Sequence, residues 1–320
     1  MSDLLAGLLA ALVSTNTPTA VSNAVQDRTG ISIQAPDPRD PVEKEFLKVE
    51  AEDDAAVEEI EKWADAAGAA AAAGRSEAQL SLGLRVRERL DGVKKDYEDF
   101  LLHHPDYVRA RLAYGGFLHQ TGDPEGALAQ WEKASRFAPN NPAVWNNLGD
   151  YYEDTNIKKA FEYYSKAITL DPSQPLYYHN LAVCVYMYRA DAAEYWKISE
   201  QEVFDTALAL YQKAMKLDPD NFILATDYAE CFYGIRPLRL QEGLAAWNQC
   251  LKIARDELER QGVFIHLARI QLALNHFDES QRALDAVTNQ MYSVLKNKLQ
   301  ANLNQSLQRA LTNGVPQPAR

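Results

Sequence analysis

Four prolines that each close a helical run, Pro105, Pro139, Pro172 and Pro219, stand 34, 33 and 47 positions apart. A period of this size constrains the fold strongly, because a short unit buries its apolar face only by stacking on its neighbours. The fullest copy reads Trp145-x2-Leu148-Gly149-x2-Tyr152, then Ala160-x3-Tyr164-x2-Ala167 and Asp171-Pro172. The copy before it shows Tyr114-Gly115-x2-Leu118, then Ala127-x3-Trp131-x2-Ala134 and Pro139. The copy after it shows Leu181-Ala182-x2-Val185, then Ala207-x3-Tyr211-x2-Ala214 and Asp218-Pro219, with thirteen extra residues between its halves. A fourth reads Tyr228-Ala229-x2-Phe232, then Gly243-x3-Trp247-x2-Cys250; a last, weaker one keeps Leu267-Ala268, Phe277, Ser280 and Leu284. Upstream, Leu80 to Pro105 reads as a partial copy whose second helix is marked by Tyr97 and Phe100. Trp145, Leu148, Gly149 and Tyr152 fall at i, i+3, i+4 and i+7, the stripe of an amphipathic helix.

Gly149 is the unexpected member of that stripe, since a glycine in a helix interior costs about 1 kcal/mol relative to alanine. Gly115, Ala182, Ala229 and Ala268 occupy the same place in the other copies, all small. The expectation is a close helix crossing at which Tyr164 or Ala160 approaches the Gly149 backbone.

Position by position, this pattern resembles the tetratricopeptide repeat (TPR) over roughly residues 74–290, and in general the chain is similar to bacterial TPR-containing proteins. The resemblance implies an all-α, right-handed superhelical solenoid of about five helix-turn-helix repeats plus a partial one. It also implies an N-terminal helical segment and a long C-terminal capping helix. Repeat packing would rest on Trp145, Leu148, Gly149, Tyr152, Ala160, Tyr164, Ala167 and Pro172. The implied function is a non-catalytic scaffold that holds a peptide or helix of another protein in its concave groove. Carried over one residue at a time, the family's inner-face positions fall on Asn146, Asp150, Glu153 and Asp154. In the next unit they fall on His179, Val183, Tyr186 and Met187, and in the one after on Thr226, Glu230 and Tyr233. Arg109, His119 and Gln120 are the earlier counterparts. This set departs from the Lys/Asn/Arg clamp by which some chaperone-binding relatives hold a C-terminal carboxylate. Its carboxylates beside Tyr and Met instead suit a basic segment with apolar anchors.

A formal charge of -12 opposes a nucleic-acid footprint, which needs clustered Lys and Arg. Three cysteines, Cys184, Cys231 and Cys250, form no disulfide framework and no zinc motif, and read as small buried hydrophobes. No phosphate-cradling glycine loop, nucleophile elbow or HExxH motif is present, so the expectation is no enzyme, no cofactor and no metal. Two alternatives stay open: a structural homo-oligomer assembled through the chain ends, and a regulatory subunit of an enzyme.

Outside the repeats, residues 1–41 read as a short apolar helix followed by an extended linker. The ten or so apolar residues at the start are too few to span a bilayer. Asp3 and the lack of a basic residue before them favour a cytoplasmic protein over an exported one with a signal segment. Asp40 and Pro41 mark the start of an acidic helix expected from Val42 to about Ala67, within a segment 42–73 that the Ala-rich stretch ends at Gly74. Phe46, Val49, Ala56, Ile60 and Trp63 would point inward. The insert near 186–203 carries Tyr188, Tyr195 and Trp196, suited to cover a repeat edge or form a lip, and Ser199 with Glu202 makes a capping box. The last helix is expected to run unbroken from about Asp278 to Thr312, with residues 291–320 forming its end and the tail. Residues 1–73 hold 14 acids and 5 bases, whereas 281–320 hold 1 acid and 5 bases, an asymmetry that head-to-tail association would use.

Overall fold

The computed structural model describes residues 40–72 and 77–312, and all their regular structure is helical. The expected N-terminal apolar helix, most of the linker, the Gly74 break and the tail after Thr312 lie outside the described residues.

The helices are α1 (Pro41–Ala72), α2 (Glu77–His103), α3 (Val108–Gln120), α4 (Pro124–Phe137), α5 (Pro142–Glu153), α6 (Ile157–Leu170) and α7 (Pro175–Met187). They continue as α8 (Arg189–Trp196), α9 (Glu200–Leu217), α10 (Phe222–Gly234), α11 (Leu240–Ile253), α12 (Glu257–Ala273), α13 (Phe277–Asp285) and α14 (Ser293–Thr312), with a 3-10 turn over Gln290–Tyr292. Their starts are written locally. Asp123, Asn141, Asn156, Asn221 and Asp256 each cap a helix with a side-chain oxygen, and Pro124 and Pro142 open the first turns of α4 and α5. Two compact units divide inside α7, one ending at Asn180 and the other beginning at Leu181.

In the first unit α1 pairs with α2. Asp40 caps α1 through the Val42 amide at 2.9 Å. Phe46 packs against Phe100 and Tyr107, each at 5.3 Å between ring centres, while Tyr97 stacks on Tyr114 at 5.2 Å. Two expectations need correction. The acidic helix does not stop near Ala67 but runs to Ala72, because alanine is the best helix former and one glycine, Gly68, costs only about 1 kcal/mol. Leu80 to Pro105 is also no helix-turn-helix: α2 is continuous, and its partner is α1.

The following pairs, α3 with α4 and α5 with α6, show why the repeated small residue is needed. A Cβ on Gly115 would lie 2.1 Å from Trp131 Nε1, and one on Gly149 would lie 2.8 Å from the Tyr164 ring. Both aromatics are buried, and the Trp131 indole N–H donates to the Leu112 carbonyl at 3.3 Å. Burying Tyr164 contributes about 2 to 3 kcal/mol, which outweighs the propensity lost at Gly149. Leu148, Ala160 and Ala167 are buried beside it. Trp145 and Tyr152 are half-buried, and Pro172 is exposed. Trp145 donates to the Pro139 carbonyl at 2.8 Å and lies under Lys166 Nζ, 3.2 Å from its ring centre.

In the second unit the insert forms α8. The chain then turns through Lys197 in the left-handed region (φ 57°), and α9 starts at the capping box of Ser199 and Glu202. Tyr186 lies over Gly234 and donates to the Cys231 carbonyl at 3.0 Å. Cys184, Cys231 and Cys250 are buried and unbridged, and burial pushes the Cys231 and Cys250 thiols up to about 12.

The expected continuous helix from Asp278 to Thr312 is broken. α13 ends at Asp285, and the side-chain oxygen of buried Gln261 accepts the Thr288 and Asn289 amides, each at 2.7 Å. Asn289 then caps the next turn through the Met291 amide. Those contacts hold an extended break that apolar spacing alone does not reveal. As a result Leu284, Val287 and Leu303 are buried, Leu299 and Leu307 are half-buried, and Met291 and Leu295 are exposed.

Candidate interaction surface

The first helix of each repeat presents a row of side chains on one side, and the two units differ in what they place there. In the first unit, Asp150, Glu153 and Asp154 follow one another within about a turn at the end of α5. Asp150 Oδ2 lies 3.3 Å from His119 Nδ1, at the end of α3. Glu153 accepts a hydrogen bond from the Tyr164 hydroxyl at 2.7 Å, so the ring that fills the Gly149 crossing also orients the acid. Burial first, and then the neighbouring Asp150 and Asp154 charges, push the Glu153 pKa up to about 7 against the Tyr164 hydrogen bond. Half of the Asp150 side chain meets water, yet protein crowds around it. Burial raises its pKa, His119 opposes that rise, and Asp154 adds to it.

Asn146 is 1% exposed: it accepts from Asn180 Nδ2 at 2.9 Å and donates to Asn147 Oδ1 at 3.4 Å. Its amide ties α5 to α7 and is withdrawn from the surface, unlike the exposed Asp150 and Asp154 that follow it. His179 is half-buried in the same unit. Arg109 has partners of its own. It is paired with Glu43 and Glu50 of α1 and lies over the Phe46 ring, so it fastens the N-terminal helix.

In the second unit, Glu230 and Tyr233 of α10 meet His266 and Arg269 of α12. The Tyr233 hydroxyl lies 3.0 Å from His266 Nδ1, and the Arg269 guanidinium stands 4.2 Å from the Tyr233 ring centre. His266 stacks on buried Trp247 at 3.9 Å with 12° between planes. Burial, aided by the Arg269 charge, lowers the His266 pKa to about 4. Glu230 is exposed; burial and Asp227 raise its pKa and Arg269 opposes them. Thr226 returns its hydroxyl to the Ile223 carbonyl. Tyr186, half-buried, also serves the Gly234 crossing described above.

His266 and Arg269 escaped the sequence reading because the last repeat is degenerate. A register signal was available. Arg269 follows the small residue Ala268 just as Asp150 follows Gly149 and Glu230 follows Ala229.

Among the described residues, no group of three His, Cys, Asp or Glu side chains is placed to hold a metal ion. The arrangement offers charge, aromatic surface and hydrogen-bonding groups at the ends of stacked helices. Two tetratricopeptide-repeat family models match residues 94–142 and 142–174, across the helix pairs whose crossings are described above. Residues 94–174 thus carry tetratricopeptide repeats, within a fold whose described residues are all-α.

The chain is 37% identical over 71 residues to the photosystem I assembly protein Ycf3 of Cyanophora paradoxa, covering 22% of this chain and 41% of that one. It is 30% identical over 119 residues to the protein O-mannosyl-transferase TMTC1 of Mus musculus, covering 35% of this chain and 11% of that one. The chain thus spans less than half the length of these relatives. Among solved structures, PilF of Pseudomonas aeruginosa matches at TM-score 0.50 and 18% identity, over 70% of this chain and 94% of that one, a likeness of fold. No helix among the described residues is long and apolar enough to cross a membrane.

Proposed function

We propose that the TPR face of the first unit binds a peptide or helical segment of another protein, seating its Lys or Arg side chains on Asp150, Glu153 and Asp154. The role is non-catalytic. The observation that carries this reading is the cluster itself: Asp150, Glu153 and Asp154 share about one turn, with the His119 imidazole 3.3 Å from Asp150. Burial and the neighbouring carboxylates push the Glu153 pKa up to about 7. A cationic ligand supplies the charge this patch lacks, and charge-assisted hydrogen bonds of that kind contribute about 1.5 to 3 kcal/mol each. The second unit offers Glu230 with Thr226 and Tyr233 on its own face, balanced by Arg269, and suits a less cationic stretch.

The test is fluorescence anisotropy of a labelled peptide alternating Lys and Leu, titrated with the full chain. Asp150→Lys should weaken capture by about 1 to 3 kcal/mol and leave melting nearly unchanged. Added salt should weaken the wild-type complex. Affinity indifferent to both the substitution and salt would place binding elsewhere.

A further inference from the structure

The terminal helices of the array, α1 and α14, carry exposed faces that are complementary in sequence register and opposite in charge. The end helix of a repeat array ordinarily turns a polar face to water. At α14 the start of that face is apolar: the 3-10 turn before it exposes Met291 (68%), and its own first turn exposes Val294 (76%) and Leu295 (51%), at i, i+3 and i+4 in sequence. The same face continues with exposed Lys298, Asn302, Gln305 and Arg309, and from Ala286 onward the sequence contains no Asp or Glu. On α1 the outward stripe starts at Leu47 (38% exposed) and continues with exposed Asp54 and Glu58, half-buried Glu61 and exposed Asp65, at i+7, i+11, i+14 and i+18. Counted from Met291, Lys298 is i+7, Asn302 is i+11, Gln305 is i+14 and Arg309 is i+18.

Set parallel with Leu47 against Met291, the two stripes pair Asp54 with Lys298, Glu58 with Asn302, Glu61 with Gln305 and Asp65 with Arg309. Apolar residues meet at one end, ion pairs stand at two of the four rungs, and amides face Glu58, which Lys62 already pairs, and Glu61 at the other two. Spacings of seven, eleven, fourteen and eighteen residues keep each stripe on one face of its helix.

We propose that α14 of one copy docks in parallel on α1 of a second copy, so that the chain associates head to tail. The two surfaces are different patches of the chain. The contact is therefore heterologous and leaves a free α1 and a free α14 at the ends of each assembly, able to add further copies unless the ring closes. This contact is independent of the peptide-binding face, and neither reading depends on the other.

Sedimentation velocity of the full chain tests it. The wild-type chain should show a weight-average sedimentation coefficient that rises with concentration and falls with salt. One variant carries Lys298→Glu with Arg309→Glu, and a second carries Asp54→Lys with Asp65→Lys. Each alone should associate about tenfold or more weakly, because like charges then face each other along the seam. Mixed in equal amounts, the two should recover association, since the acidic α14 of the first fits the basic α1 of the second and the unaltered pair also matches. Circular dichroism melting of each variant reports folding, and recovery on mixing separates a lost contact from a lost fold. A wild-type chain that stays monomeric at every concentration, or a mixture no more associated than its components, overturns the proposal.

Discussion

One residue past the small crossing residue, the first unit places Asp150 while the second places Glu230 and then, one repeat later, Arg269. The scaffold beneath is alike, with an aromatic from the second helix lying close over the first. What differs is the electrostatic company. Glu153 sits among carboxylates and is pushed up to about 7, whereas His266 lies flat on Trp247 beside Arg269 and is pushed down to about 4. The fold dictates where a side chain emerges and leaves its charge free, so different repeats of one chain can have opposite responses to pH. The units also finish differently. The first is held by packing at Gly115 and Gly149, while the second closes on a single buried amide, Gln261, that holds the α13–α14 break.

The largest expected effect tests that last contrast. Gln261→Leu keeps the bulk but strips two backbone amides of their acceptor, and should cost about 2 to 4 kcal/mol in denaturant unfolding. Hydrogen exchange should show the loss concentrated around Thr288 and Asn289. Protection there equal to wild type would mean that packing alone holds the break. Next in size is the first unit's crossing. Gly149→Leu improves helix propensity but drives a side chain into Tyr164, and should destabilise by about 1 to 3 kcal/mol. A denaturation midpoint that rises would show that the crossing can open at little cost.

The pH responses should differ in sign. A histidine with a lowered folded pKa binds fewer protons folded than unfolded, so its contribution is fully present above pH 6.5 and is lost as pH falls toward 4. His266→Phe keeps a ring on Trp247 and removes that dependence. Relative to wild type, its stability should improve by about 1 to 2 kcal/mol between pH 7 and pH 4.5. A carboxyl with a raised folded pKa binds more protons folded than unfolded, so its contribution declines as pH rises from 4.5 to about 7. Glu153→Gln, able to accept the Tyr164 hydrogen bond, should be more stable than wild type by about 1 kcal/mol near pH 8 and equal to it below pH 4.5. Parallel pH profiles for the two substitutions would erase the contrast.

The repeats were legible because close crossings demand a small residue and an aromatic at fixed spacing, a requirement written at Gly149 and Tyr164 alike. The helix caps were legible for a similar local reason, as at Asp40 and Ser199. Long-range polar contacts were not. Arg109 occupies an inner-face position, but Glu43 and Glu50 claim it from a helix more than fifty residues away in sequence. Asn146 is withdrawn by Asn180 in the same manner, and Gln261 interrupts a leucine spacing that on its own predicts an unbroken helix. Periodicity reports which side of a helix is apolar and is silent on which polar partner arrives from elsewhere.

The acidic patch of the first unit is tested most directly by calorimetric titration of the Lys/Leu peptide into the full chain at pH 6 and pH 8, in buffers of different ionisation enthalpy. A cation seated on Glu153 favours the ionised acid. Binding should therefore tighten between pH 6 and pH 8 by a few-fold to about tenfold, and release protons near pH 7. Both effects should disappear in Glu153→Gln. An affinity that is the same at both pH values with no proton release, or a pH dependence that Glu153→Gln leaves intact, would contradict the account.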